Sequence, residues 1–322
     1  MKALPALRAW SGWPGLWIRV KKTAPWALAL LVLALLSRQI GSVDWPAVWQ
    51  ALQQQRAREL LLTAGLALVS HALVASYDLV GRHATRHAVS VPRTLGIAAV
   101  CYAFNLNFGS LVGALALKLR LYGRIGLKPA TVAQVITLAI VTNWLGYLLL
   151  GGLLLLLSPP PLPPRFELPE PALRAAGVMM LLVGAAYAVL CLRRGGRPFR
   201  WRGRRIAPPR APVVAWQLAV SSANWLLMGL IVWLLLQQAL PYTTVLAVLL
   251  LAAVAGVVTH VPAGLGVLEA VFVACLGGQL PTATLLAALV TYRAVYYLAP
   301  LVPAAAGYAI DETAVAPRDF HH

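Results

Sequence analysis

Asp78 and Glu269 are the acidic residues that stand inside apolar stretches of this sequence; the rest of its nine carboxylates fall in loops, in tails or at a helix start. A carboxylate surrounded by hydrocarbon costs at least a few kcal/mol unless it is paired or wetted, so each marks a candidate functional site. Glu269 follows the break Val261-Pro262-Ala263-Gly264-Leu265-Gly266 and opens a helix, where the helix dipole favours an anion. Arg293, inside the last apolar stretch, is the nearest counter-charge in chain order. Two readings stand: an ion pair that holds two helices together, or a binding site for another charged group. Pro262, Gly264 and Gly266 serve both, because chain that leaves a helix at this depth must turn tightly and keep its polar groups on protein or water. His260, on the approach to that break, is a proton carrier or headgroup ligand in one reading and a hydrogen-bonded structural side chain in the other.

A second polar interruption runs Asn105-Leu106-Asn107-Phe108-Gly109-Ser110, with Lys118 and Arg120 beyond it. Asn105 and Asn107 offer amide donors, and the guanidinium of Arg120 suits the planar recognition of phosphate oxygens. The competing reading has the amides capping broken helix ends and the cations snorkelling to headgroups. Gly109 and Gly113 form a small-xxx-small pair, a signal for close helix packing. Asp78 precedes Arg82 by one helical turn, and an i,i+4 pair is the expectation there. His71 is expected to be structural, and the amides of Asn143 and Asn224 to join helices.

Bond-making chemistry finds no purchase. The sequence has no HExxH, no GxSxG, no P-loop and no pair of intramembrane carboxylates at metal-ligand spacing, so neither a metal nor another cofactor is expected. Cys101, Cys191 and Cys275 lie in or beside apolar stretches without CxxC spacing and read as small core residues. Without a nucleotide-binding motif, ATP cannot act on this chain directly.

The elements that must position these residues are membrane helices. Composition is 60% hydrophobic and 11% charged, and several apolar runs reach the roughly 20 residues that cross a hydrocarbon core. The expected fold is an all-α polytopic membrane protein of about six full spans plus two re-entrant or broken helical hairpins of opposite orientation. The spans are placed near Pro25 to Ile40, Leu60 to Leu79, Ala130 to Leu157, Ala172 to Leu192, Pro212 to Leu236 and Thr284 to Ile310. The hairpins are Thr94 to Gly126, broken at 105–110, and Thr244 to Leu276, broken at 261–266. The first limb of the earlier hairpin, to Phe104, covers roughly 17 Å and enters the bilayer without crossing it. Residues 1–24 form a basic N-terminus, 25–310 a single transmembrane domain and 311–322 a tail.

The net charge of +18 would suggest nucleic acid in a soluble protein, but the cations sit in short loops beside apolar runs. Arg193, Arg194, Arg197, Arg200, Arg202, Arg204, Arg205 and Arg210 crowd the 193–211 loop, and Lys21 and Lys22 precede the first span. This is the positive-inside pattern: both termini are expected in the cytoplasm, anionic headgroups are the expected partner, and nucleic acid is not. Two hairpins entering from opposite faces is the geometry of inverted repeats, whose irregular backbone lines a site near the midplane.

Cys101-Tyr102-Ala103-Phe104-Asn105-Leu106-Asn107, Thr142-Asn143-Trp144-Leu145-Gly146-Tyr147, Ser221-Ser222-Ala223-Asn224-Trp225, His260 to Ala270 and Tyr292-Arg293-Ala294-Val295-Tyr296-Tyr297 carry a resemblance over nearly the whole chain. They resemble bacterial inner-membrane proteins related to the transmembrane region of lysylphosphatidylglycerol synthase, the multiple peptide resistance factor, whose membrane half flips lipid between leaflets. The resemblance implies a flippase-like protein of the bacterial cytoplasmic membrane that binds and translocates anionic phospholipid, of phosphatidylglycerol or cardiolipin type. It does not imply aminoacyl transfer, which belongs to a separate soluble domain, so no enzymatic activity is expected. The first break departs from the family pattern, in which many relatives place Gly-Glu before the arginine; here Gly113 is followed by Ala114. A non-transporting scaffold or regulator of envelope lipid homeostasis is the alternative, with an intramembrane enzyme third.

Overall fold

The computed structural model of the protein describes residues 45–162, 168–197, 199–201, 204–206, 208–259, 261 and 264–315. The expected first span, the basic N-terminus, His260, Pro262 and the end of the tail lie outside the described residues. The described residues from Pro46 onward form one compact unit.

Its helices are α1 (Trp45–Gln53), α2 (Ala57–Ala75), α3 (Tyr77–Thr85), α4 (Val91–Phe108), a π-helical segment Leu111–Leu117, α5 (Lys118–Arg124), α6 (Pro129–Leu157), α7 (Glu170–Arg194), α8 (Ala211–Leu235), α9 (Tyr242–Thr259), α10 (Val267–Leu276), α11 (Thr282–Tyr292), a second π-helical segment Arg293–Leu298, and α12 (Ala299–Val315). Among the described residues the only strands are β1 (Phe199–Trp201) and β2 (Arg204–Ile206), an antiparallel ribbon in the arginine-rich loop that pairs Phe199 with Ile206 and Trp201 with Arg204. The sequence was not expected to place strands there; three β-formers, Phe199, Trp201 and Ile206, favour the extended backbone.

Helix starts follow local chemistry. Proline occupies the first turn of α4, α6, α7 and α8, where its missing N–H would be unpaired anyway and its fixed φ suits a helix. Among the described residues six helical stretches are long and apolar enough to cross a membrane: Ala57–Thr85, Pro129–Leu157, Glu170–Arg194, Ala211–Leu235, Tyr242–Thr259 and Thr282–Ile310. The all-helical membrane fold expected from composition is the fold observed.

The first broken hairpin differs from the expected one. Helix α4 does not stop at Phe104 but continues through Asn105 and Asn107 to Phe108, so its 18 residues cover about 27 Å. The chain turns only at Gly109, which adopts φ 84°. In the other hairpin α9 alone, also 18 residues, is long enough to span, whereas α10 returns for only 10 residues, about 15 Å.

Short connections make sequential helices antiparallel. They bring the α3–α4 loop, the end of α5, the arginine-rich ribbon and the end of α12 to one cation-rich end of the bundle. One core lies among α2, α8, α9, α10 and α11, where Ile231, Val245, Phe272, Leu285, Leu289 and Tyr292 are fully buried. A smaller one joins α4, α5 and α6 through Cys101, Tyr122, Val132 and Val135. Helix packing relies on small residues: a Cβ at Gly146 on α6 would lie 2.5 Å from Ser221 of α8. The outward faces are apolar, with Leu61, Leu68, Met179 and Leu182 exposed, as a bilayer requires.

Candidate functional site

Glu269 stands in the first turn of α10, and Arg293 opens the second π-helical segment. The two side chains meet in a bidentate pair: Arg293 Nε donates to Glu269 Oε1 at 2.5 Å and Nη2 to Oε2 at 3.1 Å. Nη2 also donates to the carbonyl of Gly264 at 2.8 Å, so the arginine ties the loop as well as the helix. Gly264 and Gly266 have φ of 56° and 76°, left-handed values that a side chain would oppose. The guanidinium lies over the Tyr297 ring, 5.3 Å from its centroid. Both charged side chains are largely buried, 14% exposed for Arg293 and 16% for Glu269. At about 1.5 Å per residue, Arg293 lies roughly 16 Å from the start of α11, a depth near the middle of a hydrocarbon core of about 30 Å.

Asn107 reaches the same region from the other hairpin. Its Nδ2 donates to the Tyr297 carbonyl at 2.9 Å and to the Ala103 carbonyl one turn back at 2.8 Å. A π-helical turn leaves carbonyls without their usual i+4 donor, and Asn107 supplies one of them. That pairing explains why α4 runs on through the expected break.

Behind the ion pair lies a buried hydroxyl chain. Tyr296 stacks on Tyr292 with centroids 5.2 Å apart. The Ser70 hydroxyl donates to Asn224 Oδ1 at 2.5 Å, so in its 2.6 Å contact with Tyr296 the phenol must be the donor. Tyr102 in turn donates to the Tyr296 oxygen at 3.0 Å, giving a directed chain from Tyr102 through Tyr296 and Ser70 to Asn224. His71 packs against the rings of Tyr102 and Tyr296, at 5.0 and 4.8 Å. Its Nδ1 meets the Ala67 carbonyl at 2.9 Å, which requires the proton on Nδ1 and leaves Nε2 as an acceptor.

A second ion pair sits nearer the cation-rich end. Lys118 Nζ meets Asp78 Oδ1 at 2.5 Å and Tyr122 donates to Oδ2 at 2.9 Å, with the Asp78 side chain only 1% exposed. This corrects the i,i+4 expectation for Asp78. Arg82 instead donates from Nε to the Val89 carbonyl at 2.7 Å, closing the loop between α3 and α4. The physical reason is facing: Asp78 points into the bundle, where Lys118 of α5 supplies the cation, and the π-helical segment that ends at Leu117 re-aims Lys118 toward it.

Of the residues singled out by sequence, the structure therefore brings together Glu269, Arg293 and Gly264, with Asn107 one residue contact away. Asn105 lies elsewhere, its backbone pressed against Gly113, where any Cβ would collide with it. Arg120 is exposed at the cation-rich end, its guanidinium 5.8 Å from the Tyr308 centroid, and does not join the Glu269 pair. The tyrosines were missed as site residues; the spacing Tyr292, Tyr296, Tyr297 around an intramembrane arginine was the available signal.

The family described as lysylphosphatidylglycerol synthase TM region matches residues 24–304. The inner membrane protein YbhN of Escherichia coli is 37% identical over 298 residues, covering 92% of this chain and 94% of that protein. An uncharacterized Synechocystis protein, slr0712, is 28% identical over 295 residues, covering 88% and 90%. With six apolar helices among its described residues, a paired intramembrane Glu269 and Arg293, and similarity across nearly its whole length, this chain belongs to the lysylphosphatidylglycerol synthase TM region family and is a multi-pass inner-membrane protein.

Proposed function

We propose that this protein binds anionic phospholipid, of phosphatidylglycerol or cardiolipin type, and moves it between leaflets without making or breaking a covalent bond. The observation that carries this reading is the Glu269–Arg293 pair, largely buried beside a left-handed glycine loop at mid-membrane depth. A guanidinium already desolvated and oriented by Gly264 and Tyr297 is preorganised for a planar anion. Phosphate oxygens present the same fork as the carboxylate, so a lipid headgroup can exchange with Glu269 on Arg293. The exchange keeps the buried guanidinium paired at each stage. Acyl chains remain in the bilayer while the headgroup passes the irregular backbone at 264–266, the kind of segment that lines sites in transporters. The family supports this reading, since the matched region takes its name from a phospholipid-synthesising protein.

The test is leaflet exchange of fluorescent phosphatidylglycerol in proteoliposomes, comparing wild type with Glu269→Gln and Arg293→Ala after insertion has been checked. Exchange in wild type, lost in both variants, is the expected result. No exchange above empty liposomes, with anionic lipid still bound, would replace the transport reading with a non-transporting scaffold.

A further inference from the structure

Three side chains that are more than nine-tenths buried carry a polar atom that bonds to no other described group: His71 through Nε2, and Tyr77 and Tyr292 through their hydroxyls. Their exposures are 7%, 2% and 0%. Native interiors seldom keep such an atom unpaired, because its lost hydration is not repaid. All three gather on Tyr296. Its ring lies 4.8 Å from that of His71 and 5.2 Å from that of Tyr292, and the Tyr77 hydroxyl is within electrostatic reach of its phenol, approaching Asn224 without hydrogen-bonding geometry.

The unmet groups are complementary in kind. With its proton on Nδ1, held by the Ala67 carbonyl at 2.9 Å, His71 presents Nε2 as an acceptor without a donor. The two tyrosine hydroxyls are donors without acceptors. The Asn224 amide is weakly served as well, its Nδ2 meeting the Met228 sulfur at 3.6 Å. We infer that the protein binds internal water around Tyr296, one molecule donating to His71 Nε2 and the Tyr77 and Tyr292 hydroxyls donating to water. Water both donates and accepts, and it is small enough for a packed interior. A second proton on His71 would supply the missing donor at Nε2 alone, and it would add a buried cation without a counter-charge. Lys118 and Arg293 already hold Asp78 and Glu269, and the rings touching His71, Tyr102 and Tyr296, are neutral phenols. Tyr296 belongs to the π-helical segment that Arg293 opens, so the hydrated region backs onto the charged site. The inference stands whether or not lipid is moved.

Solid-state NMR of the full-length protein, labelled with 15N-histidine and reconstituted in phosphatidylcholine bilayers, tests it, the His71 signals being those lost in His71→Gln. The expected result near neutral pH is a neutral ring with Nε2 unprotonated that receives polarisation from water. A ring that receives none would show a dry interior, and an imidazolium signal would put the missing donor on the histidine itself; either overturns the inference. Tyr77→Phe and Tyr292→Phe give a second reading that does not depend on a His71 variant, since each removes one hydroxyl and keeps the ring. A hydroxyl bonded to water is a lost hydrogen bond, so each variant should unfold several degrees below wild type in detergent. A hydroxyl in a dry interior is a desolvation cost that its removal relieves, so two variants as stable as wild type, or more stable, would overturn the inference.

Discussion

Among the described residues two ion pairs lie inside the bundle, and each joins a carboxylate on one helix to a cation that borders a π-helical segment. Lys118 follows the segment Leu111–Leu117, and Arg293 begins the segment Arg293–Leu298. Removing one partner from a buried pair strands the other, which costs about 3–5 kcal/mol, whereas removing both together is often nearly neutral. Lys118→Met should therefore destabilise the protein strongly, since Asp78 would keep only the Tyr122 hydroxyl. The double variant Asp78→Asn with Lys118→Met should recover most of the loss, as read by thermal unfolding in detergent; a double variant as unstable as the single would show that the pair does more than neutralise charge. Glu269–Arg293 differs from Asp78–Lys118 in kind. Its bidentate geometry and its bond to Gly264 depend on the guanidinium fork, which a lysine cannot reproduce.

Among the elements, the junction of α4 with the first π-helical segment is the tightest. Gly113 packs on the Asn105 backbone so closely that no side chain fits between them, and backbone on both sides of the contact cannot swing away. Gly113→Ala should part the two limbs and lower the unfolding temperature by several degrees, while Gly123→Ala, in a helix where a Cβ meets nothing, should leave it unchanged or slightly raised. Equal unfolding temperatures for the two variants would mean the limbs can separate at little cost. The sequence marked Gly109 and Gly113 as a packing pair, and that signal was readable because only small residues admit such an approach. Where α4 ends was not readable. Asn105 to Ser110 has the polar, glycine-containing look of a loop, yet Asn107 finds a donor's role at the Tyr297 carbonyl, far away in sequence.

Across the molecule, cations gather at one end of the helices, from Arg82 through Arg93, Lys118, Arg120 and Arg124 to the arginine-rich ribbon. On the positive-inside bias that end is expected in the cytoplasm. Cysteines introduced singly into the 193–211 loop should be shielded from a membrane-impermeant thiol reagent in intact cells, and those in the 159–169 loop labelled, in a background lacking Cys101, Cys191 and Cys275; the reverse pattern would invert the topology.

Composition and run length alone determined that the chain is a bundle of membrane helices, because roughly 20 apolar residues in succession have no other stable solvent. The intramembrane placement of Glu269 and Arg293 was equally legible, since a buried charge must find its opposite and the chain holds few candidates. Partner choice was another matter for Asp78. The nearest cation along the helix, Arg82, lost to Lys118 because the direction in which a side chain points is set by packing and not by spacing. The chain of Tyr102, Tyr296, Ser70 and Asn224 assembles from four separate segments, so it does not exist until the helices meet. Local sequence decides which residues must be buried or paired; only the assembled bundle decides with whom.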